Sequence, residues 1–308
     1  MSILLDENTR AVVQGITGRQ GRFDSENCQR YGTKVVAGVT PGRGGEIVLG
    51  VPVYNTVRDA VDREGANASV VYVPAAQVKD AILESIDAGI RLIVATSEGL
   101  SNQTAAYVVA AARAANVTLV GLNTVGVISP GKSKLGGIGG VDPSDIYVPG
   151  RIGICSRSGG MTAELALTLK QAGYGVSTAI AMGGDTICGR RMIDYVCMFE
   201  DDPETDAVAI YGEPGTRNEA ELAEHIRTVG LGKPVVAMLA GYFQEQHPKG
   251  MSFGHAAAMI QTESDTASAK RELLERCGVP VADSLLDIPK LLMRSGISPY
   301  QAATLGVH

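Results

Sequence analysis

One histidine stands apart from the others in the sequence. His255 sits in Met251-Ser252-Phe253-Gly254-His255-Ala256-Ala257-Ala258, where small neighbours leave room for a bulky group on an imidazole nitrogen. A neutral imidazole is a competent nucleophile toward phosphorus, although a packed structural histidine would occupy the same setting. Glu213 follows an apolar run at 207–211 and can orient such a ring by accepting its other N–H. The remaining histidines offer less. His225 lies on the solvated face of a Glu-rich helical stretch, His247 is in a polar loop beside Pro248, and His308 is terminal.

Two glycine turns have the composition of anion cradles. Gly15-Ile16-Thr17-Gly18-Arg19-Gln20-Gly21 lies between a strand and a helix. It aims backbone N–H groups outward from a helix N-terminus, where an anion is stabilised. Cys155-Ser156-Arg157-Ser158-Gly159-Gly160-Met161-Thr162 adds hydroxyls and a cation to the same device, and it also suits a plain Ser/Thr N-cap. A nicotinamide dinucleotide site needs an acid about 20 residues beyond the first loop, to bind ribose hydroxyls. Here the second strand runs into Pro41-Gly42-Arg43-Gly44-Gly45, a loop with no acid. Arg43 suits a phosphorylated ribose, that of NADP or the 3′-phosphate of coenzyme A, and the residues alone leave both open.

These side chains need elements to position them. Apolar runs at 11–13, 34–39, 68–73, 91–95 and 118–121 alternate with helical stretches such as 78–89 and 104–115. A continuous apolar run is a strand buried on both faces, and its alternation with helices means βαβ units. Pro, Gly, Asp and Ser gather around 143–150. A second set of runs follows at 152–155, 176–181, 207–211, 234–239 and 279–282, with helices at 162–173, 219–230, 267–277 and 285–294. The reading is an α/β chain of two doubly wound domains, 1–146 and 147–308.

Composition narrows the function classes. Of 308 residues, 45% are hydrophobic and 19% charged, so a sizeable core forms. The net charge of −6, 5% aromatics and absence of Trp disfavour nucleic-acid binding by charge or by base stacking. No apolar run approaches the roughly 18 residues of a membrane span. The early acids Asp6 and Glu7 do not fit a signal peptide, and a cytoplasmic location follows as the expectation. Five cysteines, an odd number with no CxxC, argue against a disulfide framework or a structural zinc site.

The motifs together resemble the α subunit of succinyl-CoA synthetase, in the NDP-forming acid–CoA ligase family. The matching segments run in order through nearly the whole chain. They are the 15–21 loop, Gly38-Val39-Thr40-Pro41-Gly42-Arg43-Gly44-Gly45, Val53-Tyr54-Asn55-Thr56-Val57, Val71-Tyr72-Val73-Pro74-Ala75, Thr96-Ser97-Glu98-Gly99, Ser156-Arg157-Ser158-Gly159, Met198-Phe199-Glu200 and Gly254-His255-Ala256. The resemblance implies an N-terminal Rossmann-like CoA-binding domain and a C-terminal flavodoxin-like ligase domain. It implies that Thr17, Gly18, Arg19, Gln20, Arg43, Thr96, Ser97, Glu98 and Asn123 bind CoA. His255 is implied to be phosphorylated during the cycle, with Glu213 supporting it. An ATP-grasp β subunit, in an αβ or α2β2 assembly, is implied to hold ATP or GTP with Mg²⁺, so this chain would be half an enzyme with no metal site of its own.

Departures from the family pattern cluster near the acid pocket. Ala163 stands where a Tyr is usual, and Gly160-Met161 replaces Thr-Leu. Glu-Ile-Gly-Gly has become Glu213-Pro214-Gly215-Thr216, followed by Arg217, and Pro-Asn-Cys-Pro-Gly is Leu122-Asn123-Thr124-Val125-Gly126. The loop before His255 is longer, Ala257 replaces a Gly, and Arg43 replaces the usual Lys. Ser156, Ser158, Gly159, Gly160, Ala163 and Arg217 form the expected phosphate- and acid-binding set. A lost Tyr enlarges the pocket and a gained Arg suits a second anion, so malate, another dicarboxylate or a sulfonated carboxylate is expected in place of succinate. An NADP-dependent oxidoreductase is the alternative from another class, but no hydride-transfer site with a general acid accompanies Arg43. A non-catalytic CoA-binding relic is the other, and retention of His255 and Glu213 argues against it.

Overall fold

The computed structural model describes residues 2–255 and 257–299. Ala256 of the Gly254-His255-Ala256 motif and residues 300–308, His308 among them, lie outside the described residues.

The chain forms two compact units. One comprises Leu4–Pro143 together with Ala181–Arg190, and the other takes in residues 2–3, runs from Ser144 to Ile180 and resumes at Arg191. In the first unit the order is β1 (Arg10–Gln14), α1 (Arg19–Arg30), β2 (Lys34–Val39), β3 (Ile47–Val48), β4 (Val51–Tyr54), α2 (Val57–Glu64), β5 (Ala68–Val71), α3 (Ala75–Asp87), β6 (Leu92–Ala95), α4 (Asn102–Ala114) and β7 (Thr118–Val120), then a short antiparallel hairpin of β8 (Val127–Ser129) and β9 (Ser133–Leu135). The sheet order is β3-β4-β2-β1-β5-β6-β7. Apart from the antiparallel edge strand β3 its pairs are parallel. Successive strands therefore turn away from β1 in opposite directions, which opens a crevice at the carboxyl ends of β1, β2 and β5. Strands β5 and β6 are buried at every position, as expected of a sheet covered on both faces.

The sequence pattern missed the β3–β4 hairpin and α2. The hairpin has only two facing residue pairs, too few to show an alternation. Its turn, Leu49-Gly50, has φ of 52° and 77°, the left-handed pair of a two-residue hairpin turn. The segment Ala181–Arg190 joins the first unit because glycines allow close approach. A Cβ at Gly183 or Gly189 would lie 2.0 Å from the carbonyl of Leu122 or of Leu119.

The second unit contains β10 (Pro149–Ser156), α5 (Gly159–Gln171), β11 (Val176–Ala181), α6 (Met192–Asp201), β12 (Ala207–Gly212), α7 (Asn218–Thr228), β13 (Val235–Leu239), α8 (Ala267–Arg276), β14 (Val281–Ala282) and α9 (Ile288–Arg294). These strands run in the order β14-β13-β12-β10-β11. Counting from β10 that is 2-1-3-4-5, the flavodoxin-like winding, whose ligand crevice lies where the first and third strands diverge. Those strands are β10 and β12, paired in parallel with Ser156 opposite Tyr211. His225 is half-buried, its Nε2 lying 3.7 Å from the Cys197 sulfur, and so is not on a fully solvated face. Among the described residues no helix is long and apolar enough to cross a membrane.

Candidate functional site

The first crevice is built from tight loops. Gly15 leaves β1 with φ 83°, and its N–H donates to the Val39 carbonyl of β2 at 2.8 Å. A Cβ on Gly21 would lie 2.4 Å from the Gly15 carbonyl, so only glycine lets α1 start this close to the strand. The N-cap, Gly18, provides no side-chain cap, and the first turn holds no acid. The leading N–H groups of α1 therefore have no side-chain acceptor competing for them, and the helix dipole favours an anion there. This cradle fits a phosphate. Gly18, Arg19 and Gln20 are exposed around it. Thr17 is half-buried, its Oγ1 3.1 Å from that of Thr40, and Gln20 donates to Asp24 at 2.8 Å.

Arg43 is exposed at the adjoining loop, but not alone. Glu46, the first acid beyond the loop, takes both of its N–H groups at 2.7 Å. That hydrogen-bonded pair holds the guanidinium pKa above its ordinary value. After β6, Thr96 Oγ1 donates to the Val71 carbonyl at 2.9 Å and Ser97 Oγ to that of Val73 at 2.6 Å. These hydroxyl protons tie the β6 turn to the end of β5, and Glu98 is exposed beyond them. Asn123, with φ 55°, donates to Asp185 at 3.0 Å.

The histidine lies in the second unit, beyond the carboxyl ends of β12 and β13. His255 Nδ1 lies 2.9 Å from both carboxylate oxygens of Glu213, although the residues are 42 positions apart. A carboxylate offers only lone pairs, so Nδ1 carries the proton of this contact. In the neutral ring the lone pair is then on Nε2. Glu213 is 8% exposed and opens the turn leaving β12. The turn is held at its carbonyl by Lys270 Nζ at 2.6 Å and at the Gly215 N–H by the Asp265 carbonyl at 3.0 Å. A Cβ on Gly215 (φ 86°) would lie 1.9 Å from the Ala257 carbonyl, so the turn and the histidine loop meet at a glycine. Beside the ring is a cavity of about 310 Å³, lined by Tyr211, Glu213, Pro214, Ala240, Gly241, Phe243, Gln244, Phe253, Gly254, His255 and Ala258. Phe243 and Phe253 pack edge to face at 5.0 Å. Burial and the nearby Glu213 push the Tyr211 hydroxyl up to about 12.

The rest of the expected acid-binding set lies elsewhere in the unit. Ser156 is buried and exchanges hydrogen bonds with Ser158, accepting from its N–H at 3.1 Å and donating to its carbonyl at 2.8 Å. Ser158 is the N-cap of α5, accepting from Met161 at 3.4 Å. Gly159 and Ala163 are half-buried and Gly160 exposed, and a Cβ added at Gly160 would meet open space. Arg217, the N-cap of α7, is exposed. Neither the Ser156 turn, Ala163 nor Arg217 lines the cavity beside His255. The cation at the Glu213 turn is Lys270, paired with Glu219 at 2.6 Å, the two being 2% and 0% exposed.

Sequence reasoning missed that pair. The signal was present: Lys270 shares a helical face with the buried Ala267 and Leu274, and Glu219 shares one with Leu222 and Ala223. A charge on an apolar stripe is buried and therefore partnered. Among the described residues no cluster of His, Cys, Asp and Glu could hold a metal ion.

Family comparisons match both units of the chain. The CoA binding domain model matches residues 6–99, and the succinyl-CoA ligase like flavodoxin domain model matches residues 149–293. Succinate–CoA ligase [ADP-forming] subunit alpha 2 of Archaeoglobus fulgidus is 45% identical over 95% of this chain and 99% of its own. The chain belongs to the succinyl-CoA ligase α-subunit family. Within this family the malate–CoA ligase subunit alpha of Methylorubrum extorquens is 42% identical over 92% of this chain and 94% of its own. The ADP-forming sulfoacetate-CoA ligase subunit of an Acholeplasma species is 39% identical over 97% and 99%. A solved ATP citrate lyase from Methanothrix soehngenii, in complex with citrate and coenzyme A, superposes with a TM-score of 0.86 at 25% identity. It covers 97% of this α subunit, which spans 52% of that longer chain.

Proposed function

We propose that this α subunit forms an acyl-CoA from a carboxylate, CoA and ATP or GTP, with His255 carrying the phosphoryl group between nucleotide and acid. The observation that carries the reading is the contact of Nδ1 with both Glu213 oxygens at 2.9 Å. It fixes the tautomer whose Nε2 lone pair can attack phosphorus, and the buried carboxylate stabilises the positive ring that results. Nε2 attacks the terminal phosphorus and the nucleoside diphosphate leaves. The substrate carboxylate then takes the phosphoryl group from Nε2, giving an acyl phosphate and restoring the imidazole. Finally the CoA thiolate attacks the acyl carbon and phosphate leaves, giving the thioester. Ser156, Ser158, Gly159 and Gly160, at the start of α5 where β10 and β12 diverge, would hold phosphate on backbone N–H groups.

CoA would lie in the first unit. Its phosphates would contact Thr17, Gly18, Arg19 and Gln20, with Arg43 near the 3′-phosphate and Thr96, Ser97, Glu98 and Asn123 lining the crevice. The nucleotide and Mg²⁺ belong to an ATP-grasp β subunit in an αβ or α2β2 complex, and a cytoplasmic setting suits these substrates. The acid is a dicarboxylate bulkier than succinate, such as malate, or a sulfonated acid. Relatives named for succinate, malate and sulfoacetate are 45%, 42% and 39% identical to this chain, so overall identity does not single out succinate. None of the residues lining the cavity is Lys or Arg. The second anion would therefore meet Arg217 or the partner subunit, with Ala163 leaving room where the family pattern has a Tyr.

The test is co-purification with the β subunit and incubation with γ-labelled ATP or GTP. Acid-labile, base-stable label is expected on the α chain and absent from His255→Asn. Label persisting in that variant overturns the assignment. A panel of succinate, malate, larger diacids and sulfonates, read by CoA-dependent release of nucleoside diphosphate and phosphate, then names the acid. Arg217→Ala should lower kcat/KM for the preferred acid about 10- to 150-fold, the range for a charged hydrogen bond. Equal use of every acid by the variant and the wild type removes Arg217 from the site.

A further inference from the structure

We infer that Lys270 and Glu219 are positioning residues, a buried ion pair that sets the place of Glu213 and through it the orientation of the His255 ring. The inference rests on the reading of His255 as the phosphoryl carrier. Lys270 Nζ lies 2.6 Å from Glu219 Oε2 and 2.6 Å from the main-chain oxygen of Glu213. Neither charge lines the cavity. Both are almost wholly removed from water. Such a pair adds little net stability compared with apolar residues of the same size, because desolvation offsets the attraction. Its definite product here is geometric: an ammonium group with a carboxylate on one side and the Glu213 carbonyl on the other.

The sequence makes room for this arrangement at a cost in chain entropy. Gly212 ends β12, and a Cβ there would lie 2.2 Å from Glu219 Oε1. Any larger residue would push the Glu219 carboxylate away and pull Lys270 with it. One residue further on, Glu213 meets the ring with both oxygens. Two equal contacts tolerate little rotation, since turning the carboxylate lengthens one of them. Lys270 also sits one turn inside α8, whose N-cap, Thr266, follows the Asp265 carbonyl that holds Gly215. Helix α8 and the loop that enters it thus clamp both ends of the Glu213–Gly215 turn.

The decisive experiment uses the co-expressed αβ complex and the single-turnover rate of α-chain labelling from γ-labelled ATP or GTP. The double variant Lys270→Met/Glu219→Leu removes both charges and leaves no uncompensated one. It is expected to keep a near wild-type melting temperature, CoA affinity and KM for nucleotide, while the labelling rate falls about tenfold or more. Lys270→Arg, which keeps a charged donor beside the Glu213 carbonyl, is expected to retain more of the rate than the double variant. A purely structural pair would change the melting temperature and leave the rate of folded enzyme alone. If the double variant does not fold, Glu219→Gln gives the same answer. It keeps side-chain size and an acceptor oxygen, but it leaves Lys270 without its counter-charge, and a clear drop in labelling is expected. Wild-type labelling rates in the folded double variant, or in Glu219→Gln where the double fails to fold, overturn the inference while leaving the phosphohistidine intact. Absence of label in the wild-type complex overturns the phosphohistidine itself.

Discussion

Replacing Glu213 with Gln should be more damaging than removing the side chain altogether. Both carboxylate oxygens lie 2.9 Å from Nδ1. In either flip, therefore, a Gln amide places its NH₂ group as close to Nδ1 as its oxygen. An N–H facing an N–H is repulsive, and the ring relieves the conflict by moving its proton to Nε2, which takes away the lone pair that must attack phosphorus. Loss of the charged hydrogen bond alone costs about 1.5–3 kcal/mol, or 10- to 150-fold. A histidine driven into the wrong tautomer by the comparable Asp→Asn change in serine proteases loses about 10⁴-fold. Glu213→Gln should therefore lower the single-turnover labelling rate by about 10²–10⁴. Glu213→Ala admits water beside Nδ1 and should lose less, near the lower end of that range. The assay is rapid-quench labelling of the αβ complex with γ-labelled nucleotide, with CoA binding as the control for folding. If Glu213→Gln labels within a few-fold of wild type, or is milder than Glu213→Ala, the tautomer argument is refuted.

The same geometry sets the outcome of other changes. Gly215→Ala places a Cβ 1.9 Å from the Ala257 carbonyl at φ 86°. With about 1–3 kcal/mol of backbone strain added to that clash, the melting temperature and labelling rate should fall while CoA affinity in calorimetry stays unchanged. Glu46→Gln releases Arg43 from its bidentate partner, so CoA should bind more tightly at low salt, with the gain fading as salt is raised; equal affinity at low salt would remove Arg43 from the CoA site. Burial pushes the Cys28 thiol from 9.0 to about 11. The folded state holds this proton more tightly than the unfolded chain, so the associated stability is complete below pH 9 and is lost as pH rises toward 11. It amounts to at most about 2–3 kcal/mol. Denaturant midpoints measured across that window should decline in the wild type and flatten in Cys28→Ala.

Much of the architecture was legible because it is written in local rules. Continuous apolar runs at 34–39 and 176–181 are strands β2 and β11 with those bounds, since a strand covered on both faces needs no polar alternation. The glycine loop at 15–21 was legible for a similar reason: strand, tight turn and helix start are neighbours in the chain, so their chemistry appears as a contiguous motif. Short elements were not. Strand pair β3–β4 and hairpin β8–β9 are two to four residues long, and a period cannot be read from so few positions.

What the sequence determined by itself about the site was the inventory: a histidine among small residues, a glutamate ending an apolar strand, and glycine turns before helices. Which groups meet was decided by tertiary structure. The resemblance implies a CoA-contacting turn at Thr96 and Ser97, and their hydroxyls donate to carbonyls at the end of β5 or just beyond it. Arg217 read as a cation near Glu213; the cation that contacts the Glu213 carbonyl is Lys270 from α8, 57 residues along the chain. Local sequence sets backbone preference and which face of an element is apolar. A hydrogen bond across 42 or 57 residues depends instead on the order in which the strands lie side by side. In the second unit that order sets β12 beside β13, and residues beyond their carboxyl ends line the cavity where Glu213 meets His255.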